Sequence, residues 1–190
     1  KKNYNKYFLT NLELPRIEKI KLNLQLNQLN FLYDKSKNLN ERPKNLSKRK
    51  IEHIKSKDHF VNFVTKNIIK ILPINFLENF KKMERNIDHL NWPINPKIIM
   101  TSYSHYYDDA FKIYTAKKIS TGSKLVILQH GHQGHHDFCG TYYELRICDR
   151  YFSWGNKSKN KKIIPLFVST NVGKKVVKKN PKGILLKLTE

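Results

Sequence analysis

The chain contains nothing close to the roughly 18 consecutive apolar residues that a membrane-spanning helix requires. Behind its charged start, Lys1-Lys2-Asn3-Tyr4, there is no apolar segment of a secretory leader. The expectation is a soluble, unexported, cytoplasmic protein. Cysteine is scarce: Cys139 and Cys148 stand alone, too few and too close for a disulfide framework and without the partners of a Cys-rich zinc site, so reduced thiols are expected. Acidic residues are few, 15 against 37 Lys and Arg in 190 residues, which leaves a net charge of +22. Within the basic set arginine is the rare member, limited to Arg16, Arg42, Arg49, Arg85, Arg146 and Arg150. Arginine is the side chain that forks onto phosphate and guanine, and no RNA-recognition, zinc-finger or helix-turn-helix signature accompanies the charge. A lysine- and asparagine-rich surface of this kind fits AT-rich codon usage and general attraction to anionic membrane, with no specific nucleic acid as partner. A basic nucleic-acid-binding protein without catalysis is the alternative. Neither Gly-x-x-x-x-Gly-Lys nor Gly-x-Gly-x-x-Gly occurs, so there is no nucleotide-triphosphatase loop.

What is present organises into three stretches. Residues 1–57 form a basic peripheral segment: Leu22, Leu24, Leu26 and Leu29 fit strand and helix spacing about equally, and a helical segment is the preferred reading. From Asp58 the spacing of Phe60, Phe63, Val64, Ile68 and Ile71 predicts an amphipathic helix, with Ser56 or Asp58 as N-cap and Pro73 as its stop. A second helix is expected after Pro73, carrying Phe76, Leu77, Phe80, Met83 and Ile87 on one face and ending before Asn91-Trp92-Pro93. Residues 96–102 and 124–128 read as buried parallel strands joined by a helix from Ala110 to Ile119, opened by Asp108 and Asp109 and closed by Gly122. Further strands are expected at Arg150–Ser153 and Ile163–Val168. Residues 58–170 thus predict an α/β domain, a Rossmann-like parallel sheet flanked by helices. Residues 171–190 read as a lysine-rich linker followed by a new strand at Gly183–Leu188. A lone strand cannot bury its faces, so the natural protein is expected to continue past Glu190, and the missing initiator Met suggests truncation at the front as well.

Ligands of open parallel sheets bind beyond the carboxyl ends of the strands. Two segments occupy such places: Thr101 to His105, leading into Asp108 and Asp109, and Gln129-His130-Gly131-His132-Gln133-Gly134-His135-His136. Glycines let the backbone turn and approach a ligand, and imidazole works as a base near neutral pH. His130 is thus a candidate functional group, or else a structural histidine pinning the loop. Four histidines in seven residues also raise a metal-dependent hydrolase as an alternative, although their spacing matches no metalloprotease pattern. Glu144, read in the loop after the histidine strand, is a candidate to orient an imidazole or contact an acceptor hydroxyl, or else a solvated surface residue. Asp149 reads as a cap and Trp154 as a core aromatic.

In order along the chain, Leu72-Pro73, Pro96-Lys97-Ile98, Thr101-Ser102, Asp109, Phe111-Lys112, Gly122, Gln129-His130-Gly131, Gly134, Glu144, Asp149, Trp154-Gly155 and Pro165 resemble transferases of bacterial O-antigen and surface-polysaccharide gene clusters. The resemblance spans about residues 58–168 and departs at His132, where a second glycine is usual, and at Asn156 and Phe167. It implies the N-terminal, acceptor-side half of a GT-B-like two-domain fold related to the polymer glycerophosphotransferases. By that analogy His130 and Glu144 are the catalytic pair, and Ser102, Asp109, Gln129, Gly131, His132 and Gly134 bind substrate. No cofactor is bound tightly; the nucleotide-activated donor sits in the missing domain, and the acceptor is a glycan or a lipid-linked glycan. Each of these is an implication of the resemblance, not a derivation from spacing.

Overall fold

A computed structural model describes residues 3–28, 33, 49, 55–131, 140–155 and 158–174. Five strands form one sheet: β1 (Tyr7–Leu9), β2 (Ile98–Thr101), β3 (Lys124–Leu128), β4 (Arg150–Trp154) and β5 (Ile163–Leu166). They lie in the order β1-β2-β3-β4-β5 and every neighbouring pair is parallel. The helices are α1 (Arg16–Gln25), α2 (His59–Ile71), α3 (Phe80–Asp88), α4 (Ser104–Tyr107), α5 (Asp109–Ser120) and α6 (Gly140–Ile147), with short 3-10 turns at Ile74–Phe76 and Ser169–Asn171. This is the expected α/β, Rossmann-like arrangement. None of the described helices is long and apolar enough to cross a membrane.

Side chains alternate across a strand, so each strand feeds two layers. Phe8, Ile99, Leu125, Ile127, Tyr151 and Ile163 join Met83 and Ile87 of α3 and Ala110, Phe111, Ile113 and Tyr114 of α5 in the main core. On the other face Leu9, Val126 and Leu128 meet Leu12, with Leu22 and Leu26 along α1. Among the described residues that second layer is thin: an apolar pocket of about 320 Å³ lies between the sheet face (Leu9, Met100, Leu128, Phe152), Leu22 of α1 and Leu26 just after it.

The central βαβ unit forms as its local chemistry dictates. The Asp108 carboxylate accepts the Phe111 N–H at 3.0 Å and caps α5. Gly122, at φ +105°, makes the left-handed turn that releases the chain into β3. Asp58 caps α2 through the N–H groups of Phe60 and Val61. The single helix expected after Pro73 is instead divided, a 3-10 turn at Ile74–Phe76 and then α3. Met83 and Ile87 are buried there, while Phe76, Leu77 and Phe80 are more than a third exposed, so packing secures only the second half.

The N-terminal stretch differs most from expectation. It carries α1, as a helical reading requires, and it also supplies β1, whose Phe8 is wholly buried in the core. Three residues are too few to show a period of two. Tertiary contacts make the strand: the Tyr7 N–H donates to Gln28 Oε1 at 2.8 Å, and Tyr33 Oη donates to the Tyr7 carbonyl at 3.1 Å, which satisfies peptide groups of an edge strand. The loop at residues 40–45 and the strand expected at Gly183–Leu188 lie outside the described residues.

Candidate functional site

Because β2 and β3 are adjacent and parallel, their carboxyl ends open onto the same edge of the sheet. Beyond β2 a hydroxyl network sets the next turn. Thr101 Oγ1 accepts the Ser104 N–H at 3.1 Å and donates to Ser104 Oγ at 3.0 Å, and Asn11 Nδ2 donates to the same Ser104 oxygen at 2.7 Å. This starts α4 and delivers His105 into the interior, where its side chain is 3% exposed. Beyond β3, Gln129 is buried and its Oε1 accepts the Trp154 N–H at 2.7 Å. Its amide thus ties the end of β3 to the end of β4 and fixes where His130 leaves the sheet.

Glu144 completes the group. It is borne by helix α6, not by a loop, and it is fully buried rather than solvated. Lys162 holds the end of that helix, donating from Nζ to the carbonyls of Leu145 and Cys148, each at 2.8 Å, where a cation suits the helix C-terminus. Glu144 Oε1 lies 3.0 Å from His105 Nε2 and 3.7 Å from His130 Nδ1. A buried carboxylate is costly unless it is paired, and here two imidazoles share one of its oxygens. The 3.0 Å contact has hydrogen-bond length, and with Glu144 ionised His105 Nε2–H is its donor; the 3.7 Å one is electrostatic. His105 Nδ1, His130 Nδ1 and Glu144 Oε2 are buried without a hydrogen-bond partner among the described residues. Buried polar groups of this kind call for a partner, which a water, an ion or a ligand can supply. Tyrosines wall the cluster: Tyr106 lies 4.2 Å from His105 and 5.7 Å from His130, and Tyr103 lies 5.9 Å from His130, ring centre to ring centre.

The remaining expected residues divide by what they touch. Gly131 is exposed with φ +57° and follows His130 directly. Ser102 is wholly buried, and its hydroxyl accepts the Glu13 N–H at 3.2 Å. Asp109, in the first turn of α5, accepts from Asn75 at 3.0 Å and pairs with Lys112 at 2.9 Å. Both are thus engaged in holding the fold. His132, Gly134, His135 and His136 lie outside the described residues. Among the described ones no three His, Cys, Asp or Glu groups gather as a metal site. Asp149, expected as a cap, instead braces the sheet: its carboxylate accepts the N–H of Leu125 in β3 at 2.9 Å. His105 is the residue to which sequence reasoning gave no role, although its segment had been singled out; the adjacency of β2 and β3 was the available signal.

Gln129→Ala leaves the Trp154 N–H without its acceptor and lowers stability by about 1–3 kcal/mol, read as a lower urea midpoint. Burial pushes the Cys148 thiol up to about 11 from an ordinary 9.0. Its protonated form is therefore favoured by folding, a contribution complete below pH 9.0 and lost as pH rises towards about 11. In a Cys139→Ser background, native protein stays unmodified by iodoacetamide at neutral pH while urea-unfolded protein reacts fully.

Comparison with curated proteins and with solved structures finds no match. The family model described as LIC12162 family transferase matches residues 1–190, the whole length of the chain, and the protein accordingly belongs to that family of transferases.

Proposed function

We propose that this protein moves a sugar, or another nucleotide-activated group, onto a hydroxyl of a growing bacterial surface glycan, with the described sheet as the acceptor-side half of a GT-B-like enzyme. The observation that carries the reading is the buried His105–Glu144–His130 group at the carboxyl ends of β2 and β3, in a chain whose family is named for group transfer. His130 turns Nδ1 towards Glu144, which leaves Nε2 as the ring nitrogen for an acceptor. In the transfer step Nε2 takes the hydroxyl proton, the acceptor oxygen bonds to the transferred group, and that group's bond to the nucleotide breaks with the electron pair leaving on the nucleotide phosphate. Glu144 stabilises the imidazolium so formed and fixes the ring, as orienting carboxylates do. Catalytic contacts that are long without substrate commonly tighten when it binds, which suits the 3.7 Å separation. Gly131, with His132 and Gly134 beyond it, would give the loop its approach to the transferred group. The abundance of lysine would hold the enzyme near anionic lipid, where lipid-linked acceptors sit.

The test is to incubate the full-length protein with UDP-, GDP-, CDP- and dTDP-activated donors plus host membrane extract, and to follow nucleotide release. Release from one donor class that depends on the extract is expected. No release from any donor, with protein confirmed folded, contradicts the reading.

A further inference from the structure

The sequence of α2, His-Phe-Val-Asn-Phe-Val-Thr-Lys-Asn-Ile-Ile-Lys-Ile, has the amphipathic spacing of a helix made to be buried, yet none of its residues is buried. Phe60 is 71%, Phe63 64% and Ile71 72% exposed. At about 100° per residue these three fall on one side of the helix, and the exposed His59, Lys66 and Lys70 lie along one flank of that side. The half-buried Val61, Asn62, Thr65 and Ile69 occupy the opposite side. Orientation is not left free: Arg49 Nη1 donates to the carbonyls of Ile69 at 2.7 Å and Leu72 at 3.0 Å, while its guanidinium grips Glu78 at 2.7 and 2.8 Å. The helix carries no acidic side chain, and Lys55 and Lys57 stand exposed just before it.

We propose that this face of α2 docks on an anionic lipid bilayer, with Phe60, Phe63 and Ile71 entering the boundary between headgroups and acyl chains and Lys66 and Lys70 meeting lipid phosphates. Two features select this occupant. Large apolar side chains flanked by lysine suit the layered polarity of a membrane interface, where the stem of a lysine lies along apolar surface while its head reaches outward. A net charge of +22 draws the protein towards a negative surface, whereas it repels a second copy of the same chain. Single-stranded nucleic acid would use the lysines and stack bases on the phenylalanines, but it has no use for the equally exposed aliphatic Ile71 on the same face. The inference rests on the peripheral-membrane part of the reading above and names the element responsible. It is read without turnover, so its failure and that of the transfer reaction are distinguishable.

Co-sedimentation with vesicles of equal parts phosphatidylglycerol and phosphatidylcholine, and with pure phosphatidylcholine vesicles, tests it. The expected result is binding to the anionic vesicles and little to the neutral ones. Phe60→Ser/Phe63→Ser should lower the anionic partition coefficient about tenfold or more, with circular dichroism and thermal midpoint unchanged because both sites are exposed. Lys66→Ser/Lys70→Ser should weaken anionic binding and reduce its salt dependence. Failure of the wild type to bind overturns the proposal, as does undiminished binding by the phenylalanine variant. Self-association that the same variant abolishes would make the face a contact between copies and overturn it too.

Discussion

In full-length protein, His130→Ala lowers kcat for group transfer by about 10²- to 10⁴-fold, the usual span for loss of a positioned general base, and leaves KM for the donor little changed. The ring is one of two imidazoles at the Glu144 carboxylate, and its side chain keeps 16% of its surface exposed while Glu144 keeps none. Of the two histidines it is the more exposed, His105 keeping 3%, and so the one assigned to the acceptor in the proposed reaction. Glu144→Gln preserves volume and removes the charge that stabilises an imidazolium, so it should reproduce much of the loss. The two effects should not add, because the residues act as one unit. His105→Gln separates roles within the cluster: it removes a buried imidazole that touches Glu144 and has no direct role in the proposed transfer, and should reduce kcat by less than His130→Ala while shifting the pH–rate profile. Equal loss in both histidine variants with no change in that profile would point to a packing role for the whole group.

Phe8→Ala should cost about 3–5 kcal/mol, a large part of the roughly 5–15 kcal/mol that keeps a domain folded. Phe8 is 0% exposed. Its ring sits 4.8 Å from Tyr33, 5.1 Å from Trp92, 5.1 Å from Tyr114 and 6.2 Å from Phe111. Neighbours cannot collapse freely into the vacated space, since Tyr114 is tethered through its hydroxyl to the Pro93 carbonyl at 2.6 Å and Phe111 is set by the capped start of α5. Chemical denaturation measures the loss. A shift of the urea midpoint equivalent to less than about 1 kcal/mol would mean that β1 is dispensable to the core.

Elements whose signals are local are legible in the sequence. Proline before β2, continuous apolar residues in β3, the Asp108 cap and the turn at Gly122 all act within a few residues of what they control. β1 is held by partners more than twenty positions away, Gln28 and Tyr33, and nothing in Tyr7-Phe8-Leu9 announces them. The site behaves the same way. His130 stands out because it follows a legible strand and precedes glycine, and Glu144 was recognisable as a carboxylate in its vicinity. That one carboxylate serves two histidines depends on parallel pairing between β2 and β3 and on α6 carrying Glu144 to both rings. His105 and Glu144 are separated by 39 positions, a contact that only the assembled sheet reveals. Ser102 and Gln129 show a second effect of assembly, since the Ser102 hydroxyl also accepts the Glu13 N–H and Gln129 Oε1 the Trp154 N–H, contacts that no local pattern announces.

The most direct test is complementation. The reading frame is deleted in the native host, and full-length wild type or His130→Ala is returned at matched protein levels. Surface polysaccharide is then resolved by electrophoresis. The account predicts that deletion alters the polysaccharide, that wild type restores it and that His130→Ala does not. Equal restoration by His130→Ala, or a polysaccharide untouched by the deletion, would contradict it.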